Sequence, residues 1–444
     1  MFKTVRNAFK VQDIRKRLLY TLICLFVIRL GTQIPLYGVN TDYIANWFEQ
    51  QANLGFFDAL TGGSFSSMSI FALSITPYIT ASIIMQLLTI AIPKLEELHK
   101  DGEEGRKKIT AITRYMNIGL SIIESLAMAI GFGNQGYFKG GITATNVIVS
   151  VVVLTAGATF LMWIGEQITE KGVGNGISIV LLINIVSRIP QDFLTLYNSY
   201  INGKGIANAV VAGVIIVAII AFMIAFIVVL SDAERNIKVS YAKKMQGRRM
   251  VGGQSSNIPL KVNTAGVIPV IFASSLMSFP IIIAGFMGIQ PASGAGASIG
   301  QKILKVCNQS AWFNVSSWDE FKYTLGLLIY IVLVVFFAYF YTSITFNPLE
   351  VSNNLKKSGG FIPGIRPGKP TTDYLTGVLN KIIFIGACGL TIVAVVPIIC
   401  SGAFGANVSF GGTSLIIIVG VVLETIKQVE SMMLVRHYKG FLND

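Results

Sequence analysis

The sequence predicts an all-α, polytopic membrane protein of about ten transmembrane helices, arranged as two five-helix halves of opposite orientation. Three observations carry that reading. Only 13% of the 444 residues are charged and 53% are hydrophobic, whereas soluble globular domains carry roughly 25% charged residues. The mean hydropathy is +0.65, and the apolar residues fall in blocks long enough to cross a bilayer. Finally, Lys and Arg are distributed unevenly between alternate connections, as in membrane proteins that keep positive charge in the cytoplasm. A soluble enzyme is excluded.

Apolar blocks of about 20 residues lie near 18–37, 70–91, 112–131, 147–166, 177–198, 206–230, 263–284, 324–346, 374–397 and 413–434. The first is not expected to be a cleaved leader: it is long, contains Arg29 and lacks a small-residue cleavage site. The fifth has a clean run only from Ile177 to Ile189, before Pro190. That run covers about 20 Å as helix, so the span either continues through Phe193 and Leu194 or crosses a thin, protein-lined region. In the seventh, Ile271 follows Pro269, where the helix is expected to bend.

The basic connections are 1–17, 92–111, 167–176, 231–262, 347–373 and the tail after 434. With nearby helix-end residues they hold 28 of the 35 Lys and Arg, against 6 on the other side. This places both termini in the cytoplasm. Five spans on each side of a break near 199–205 put the halves, 1–204 and 205–444, in opposite orientations.

Between spans one and two, residues 55–68 (GFFDALTGGSFSSM) are too short and too rich in Gly and Ser to cross. Phe56, Phe57, Leu60 and Phe65 offer apolar anchors, while Asp58 and Gly62-Gly63 break any long helix. Two readings stand: an ordinary outer loop, or irregular backbone at membrane depth, which survives only where protein or a water-filled cavity surrounds it. Loop 231–262 carries Arg235, Lys238, Lys243, Lys244, Arg248, Arg249 and Lys261. The alternation IKVSY over 237–241, followed by Gly252-Gly253, suggests a short hairpin. Loop 347–373 contains KKSGGFIPGIRPGKP, dense in Pro and Gly around Lys356, Lys357 and Arg366. Orienting charge alone needs no such stiff tip, which favours a docking surface for an anionic or acidic partner.

Charges inside spans are costly and usually functional. Arg29, Glu124, Glu424 and Lys427 fall within spans, the last two close enough to pair, and Glu166 ends span four. This is few for an ion-coupled carrier. The four cysteines show no regular spacing, and only two histidines exist, so no disulfide framework, metal site or His-based catalysis is readable. The turn GVGNG at 172–176 follows no strand and reads as a membrane-surface turn. No phosphate-binding loop of the GxxxxGK[ST] type occurs, so any nucleotide-driven work places the nucleotide on a partner.

Four stretches in order, IFALSITPYITASIIMQLL (70–88), GVGNGIS (172–178), GGQSSNIPLKVNTAGVIPVIFASSLMSFP (252–280) and NPLEVSNNLKKSGGFIPGIRPG (347–368), resemble the SecY family, channel subunits of the bacterial protein translocase. The similarity runs essentially from the basic N-terminus to KQVESMM at 427–433. The resemblance implies a clamshell around an hourglass pore that opens across the membrane for secreted chains. It also opens sideways, between spans two/three and seven/eight, for signal-sequence-bearing preproteins and membrane segments. It implies a plug at 55–68 and an aliphatic pore ring of Ile79, Ile83, Ile177, Leu181, Ile271 and Val422. The small membrane subunits SecE and SecG and the motor ATPase SecA or a ribosome are the implied partners, engaged through loops 231–262 and 347–373 with Arg366 prominent. Surrounding lipids complete the set; no cofactor and no sequence-specific nucleic acid are implied. Where relatives carry an uncharged polar residue this chain has Glu124.

The residue chemistry is compatible with that expectation. A path for unrelated polypeptides gains nothing from fixed charges, which trap some sequences, whereas an aliphatic constriction gates by excluding water. A secondary transporter with inverted repeats is the main rival, disfavoured by the shortage of midplane carboxylates. An intramembrane enzyme lacks a visible Ser–His, HExxH or paired-Asp arrangement.

Overall fold

The computed structural model describes residues 9–40, 58, 61–133, 138–200, 206–241, 244–246, 249–251, 255–286, 289, 298–308, 312, 322–404 and 412–440. The helices are α1 (Gln12–Gly31), α2 (Thr76–Ala91), α3 (Pro93–Lys100), α4 (Gly102–Gly133), α5 (Ala144–Lys171), α6 (Gly176–Tyr200), α7 (Ile206–Asp232), α8 (Ile268–Phe286), α9 (Ile299–Cys307), α10 (Leu325–Thr345), α11 (Pro348–Ser358), α12 (Lys369–Phe404) and α13 (Gly412–Gly440). The strands are β1 (Glu234–Tyr241), β2 (Lys244–Gln246), β3 (Arg249–Val251), β4 (Ser255–Lys261) and β5 (Gly360–Phe361).

Each of the ten apolar blocks meets one helix: α1, α2, α4, α5, α6, α7, α8, α10, α12 and α13. Stretches of α5, α6, α7, α10 and α12 suffice to cross a membrane by length and composition alone, and α2 with α3 adds a sixth candidate bent by 105°. Pro190 lies within α6, which runs on to Tyr200, so the fifth span continues through Phe193 and Leu194.

Three boundaries depart from expectation, each for a local reason. Span one is α1, ending at Gly31 and not near 37; a Cβ at Gly31 would overlap the Phe71 ring. Beyond it the chain pairs with the far end of the 55–68 segment: Leu36 N–H donates to Met68 O at 2.8 Å and Ile70 N–H to Ile34 O at 3.0 Å. Helical span two begins at Thr76 and not at 70. Residues 69–75 are tight turns, with Met68 and Ser74 at positive φ, and are buried almost throughout. Such irregular backbone persists at membrane depth because protein encloses it. Pro269 sits in the first turn of α8, where its missing N–H costs nothing; it starts the helix instead of bending it.

Three apolar clusters fill the bundle. One lies between α7, α8, α10, α12 and α13, centred on Val270, Ala273, Tyr330, Val334 and Val393. Another joins Leu36, Phe65, Met68, Leu73, Met128 and Leu154 from α4, α5 and the turns around them. The third brings the two parts of the chain together: Ile28, Phe71, Ile75, Leu161, Ile168, Val180 and Leu181 pack with Ile271, Ile417 and Val421.

At the basic end of the bundle the two elaborate loops form one body. β1 pairs antiparallel with β4, from Glu234↔Lys261 to Ser240↔Ser255, and with β5 at Ser240↔Phe361 and Tyr241↔Gly360. β2 and β3 form a smaller hairpin nested between β1 and β4. The alternation read at 237–241 holds: Ile237 and Val239 turn inward, Lys238 outward. Their partners are Leu260, Leu355, Ile362, Leu375 and Ile382, a distinct core that meets the α7–α8–α10 cluster at Val262.

Candidate functional site

The seam cluster gathers most of the aliphatic residues singled out above. Leu181 and Ile271 are buried in it, and Ile79 and Ile177 pack against it. Ile83, one helical turn beyond Ile79 on α2, packs instead against the cluster of α8 and α10, so α2 touches both sides of the seam. Val422 does not join: it is 39% exposed, whereas Ile417 is 1% exposed and lies in the seam with Val421. Residues four apart share a helix face and the next residue turns away by about 100°, which puts Val422 off the face that Ile417 and Val421 present.

The described residues of the 55–68 segment, 58 and 61–68, are tied to α1 and α6, two helices that contribute to this seam. Phe56, Phe57 and Leu60 fall outside the described residues. Asp58 is 2% exposed at its side chain and forms an ion pair with Arg188 of α6 at 2.6 Å. The Ser66 N–H donates to the other Asp58 carboxylate oxygen at 3.0 Å, and the Gly63 N–H to the Asp58 carbonyl. Burial pushes the Asp58 carboxyl above the usual carboxylate range, against the pull of Arg188 and of the Ser66 hydrogen bonds. A buried pair of this kind is costly to desolvate and fixes one arrangement more than it adds net stability.

Arg29, at the end of α1, donates to the Gly62 carbonyl at 3.1 Å and to Thr32 Oγ1 at 3.1 Å. Gly62 has φ +70° and a Cβ there would crowd Asn184 of α6; Gly63 has φ +82°. Both glycines are therefore favoured by backbone conformation, and Gly62 by space as well. Asn184 donates to Ser74 Oγ at 3.0 Å, and Phe65 is buried among α4 and α5. Arg29, read from the sequence only as a costly charge, thus holds the segment from one side and Arg188 from the other. Neither Arg188 nor Asn184 stood out in the sequence, since each looks like an ordinary residue of span five until the fold carries 58–74 against it.

In the turn 172–176 the amides of Gly172, Val173 and Gly176 are occupied, the first by the Ile168 carbonyl. Val173 N–H donates to Thr21 Oγ1, Gly176 N–H to Thr169 Oγ1, and Ile177 N–H to Asn175 Oδ1. With Arg17 also donating to the Gly172 carbonyl at 3.3 Å, the turn fastens α5–α6 to α1. Lys427 pairs not with Glu424 but with Asp232 at the end of α7, at 2.6 Å. Arg114 meets Glu166 at 2.8 Å. Glu124 is half-buried on α4, and no role follows from its position. Among the described residues no cluster of His, Cys, Asp and Glu suits a metal ion.

On the basic body Arg235, Lys238, Lys356, Lys357 and Arg366 are exposed. Lys244 and Arg249 lie on the nested hairpin, while Lys243 and Arg248 fall outside the described residues. Asn347 caps α11 by accepting from the Leu349 and Glu350 N–H groups. Gly359 closes it at φ +73°, the left-handed conformation that favours glycine. The Arg366 carbonyl accepts from Thr371 Oγ1 at 2.8 Å and the Gly368 carbonyl from Ser352 Oγ at 3.0 Å. Arg366 therefore projects from a pinned turn.

Helices enclosing an aliphatic seam, with an irregular segment tied to two of them, define a multi-pass membrane channel of the clamshell class. The SecY family profile matches residues 69–426. The chain is 43% identical to the protein translocase subunit SecY of Halalkalibacterium halodurans and 38% identical to that of Thermotoga maritima, over 100% of this chain and 100% and 98% of theirs. The chain belongs to the SecY family, and it is a protein-conducting channel. Solved structures agree in fold. One reported under the plug domain of SecY stabilising the closed state superposes with TM-score 0.61 at 19% identity, covering 94% of this chain and 92% of that one. The idle yeast Ssh1 complex on the 80S ribosome gives 0.62 at 13% identity, covering 96% and 89%.

Proposed function

We propose that this chain passes unfolded secretory polypeptides across the bacterial plasma membrane and releases apolar segments sideways into it, with both termini cytoplasmic. In this reading residues 1–204 and 205–444 are the two halves. The pore ring is Ile79, Ile83, Ile177, Leu181, Ile271 and, in span ten, Ile417 in place of Val422. The observation that supports it most is the seam: buried aliphatic residues from both halves pack together there, and Asp58 and Gly62 are tied to helices of the same seam through Asp58–Arg188 and Arg29–Gly62.

The mechanism follows from that contrast. Aliphatic side chains bind no particular sequence and keep water out when packed together, so a polypeptide separates them without leaving a fixed partner behind. The plug seals the closed state through a few specific ties, released together when the halves part. Ile83 rests on the α8–α10 cluster, so separating α2 and α4 from α8 and α10 opens a sideways path. The driving force comes from outside the chain, from SecA with ATP or from a ribosome, docked on Arg235, Lys238, Lys243, Lys244, Arg248, Arg249, Lys356, Lys357 and Arg366. SecE and SecG complete the membrane complex, and no catalytic step is assigned to this chain.

Reconstitution into proteoliposomes with SecE and SecG tests the reading. A preprotein is expected to become protease-protected only when SecA and ATP are added. Uptake of a small solute by the chain alone, with no preprotein transport, would identify a transporter instead.

A further inference from the structure

Between α8 and α10, at the end of the bundle opposite the β1–β4–β5 sheet, lies the nine-residue helix α9. At 1.5 Å per residue it reaches about 14 Å, too short to span. It is nonetheless well built. The Ser298 N–H donates to Gln301 Oε1 at 3.0 Å in a reciprocal capping box. Trp312 Nε1 donates to the Val306 carbonyl at 2.6 Å, and its ring packs on Tyr330 of α10 at 5.4 Å. Gly326 at the start of α10 has no room for a Cβ because Val306 O and Trp312 occupy the space. Lys305 lies 4.7 Å over the Tyr323 ring. The helix is thus strapped across the ends of α8 and α10.

What it presents outward is apolar. Leu304 turns inward, but Ile299 is 78% and Ile303 56% exposed. Four residues apart, they form one stripe, which Val306 continues. Lys302 flanks it, and the helix contains no acidic residue. The exposed residues at the start of α10, Leu325 and Leu328, belong to a membrane-spanning helix whose outer surface meets lipid. Through Val306 and Trp312, α9 is anchored at Gly326, so its stripe lies beside the end of that lipid-facing helix.

We propose that α9 is an interfacial anchor in the leaflet distal to the basic end: Ile299 and Ile303 enter the boundary between headgroups and acyl chains, and Lys302 reaches the lipid phosphates. An apolar stripe with a basic flank and no acid is what such a surface binds, and a lysine beside it keeps its ammonium at phosphate level while its stem lies on apolar surface. An aqueous position would leave two isoleucines in water, and an acidic protein partner would leave them unused.

The test places an environment-sensitive fluorophore at Ile303→Cys in the full chain, with Cys24, Cys307, Cys388 and Cys400 replaced by Ser, in nanodiscs of phosphatidylcholine and phosphatidylglycerol. Shallow spin-labelled lipid is expected to quench it several-fold more than aqueous iodide does, with the reverse order at a control label on Lys357→Cys. Quenching of the Ile303 label by iodide as strong as at the control would overturn the proposal. So would protection from both quenchers, which means that another protein surface or a second copy covers the helix. In a background carrying Ile299→Asp and Lys302→Glu the lipid quenching is expected to fall. If it does not, the stripe is not what holds α9 at the membrane.

Discussion

The 55–68 segment and the body at the basic end are both irregular, glycine-rich stretches, yet they are held in opposite ways. The described residues of the 55–68 segment are fixed by polar ties to two helices, Asp58 to Arg188 and Gly62 to Arg29, with Phe65 as an apolar foot. The basic body has its own apolar core of Ile237, Val239, Leu260, Leu355 and Ile362, while its described cations Arg235, Lys238, Lys356, Lys357 and Arg366 are exposed. A hydrophobic core is non-directional and gives way only when much of it opens. A few directional ties break once their geometry is lost. The first arrangement suits a part that moves, the second a part that must stay rigid while another protein pushes on it.

The largest expected effect separates those two roles. Arg366→Glu reverses the charge on the pinned turn without touching the core beneath it, so membrane levels and resting ion conductance are expected to stay at wild type. SecA-dependent transport in the proteoliposome assay is expected to be lost, because a guanidinium matches carboxylate or phosphate geometry that a carboxylate repels. Normal transport by this variant would show that the tip is not the docking point.

Next comes the plug. Arg188→Ala leaves the Asp58 carboxylate buried without its cation, and stranding one member of a buried pair costs about 3–5 kcal/mol. Displacing the segment into water relieves that cost, so resting conductance in planar bilayers is expected to rise more than tenfold while export persists. The double variant Asp58→Asn with Arg188→Leu removes both charges and is expected to leak less than Arg188→Ala. Equal leaks from the two would mean that the ion pair does not hold the plug.

How far these regions were legible differs for the same physical reason. Spans are set by composition over some 20 residues, so all ten could be read from the sequence. The strand at 237–241 showed in its alternation. Its pairing with residues 360–361, more than a hundred positions away, had no local signature, so two loops that read as separate tips proved to be one body. The 55–68 segment stood out through its Gly and Ser content, but the partners of its described residues did not. Arg188 and Asn184 become special only through backbone brought to them from 58–74. In span ten no local pattern in an all-aliphatic stretch fixes which face turns inward, so the choice between Val422 and Ile417 had no local signature.

Ile271→Asn addresses the seam directly. Burying an isoleucine is worth roughly 1.5–3 kcal/mol, and an amide in its place draws water into the constriction. With 1.4 kcal/mol to each factor of ten, the open population is expected to rise by about one order of magnitude. Preproteins with defective signal sequences are then exported. An unchanged conductance would show that Ile271 packs the wall without sealing the path.

The smallest effect concerns span ten, where two neighbouring aliphatic faces of α13 compete for one role. Ile417 is buried in the seam with Val421, whereas Val422 is 39% exposed. Asn at 417 places an amide among Ile271, Leu181 and Ile79, while Asn at 422 changes only a half-exposed surface. Ile417→Asn is therefore expected to leak and to relax signal stringency much as Ile271→Asn does, and Val422→Asn to stay close to wild type in both. Surface substitutions of that kind usually move stability by no more than about 0.5 kcal/mol, so the second variant is not expected to change membrane levels either. If Val422→Asn leaks and Ile417→Asn does not, α13 turns its other face to the pore in the membrane. The seam described here would then be packing between the halves, with the conducting path running beside it.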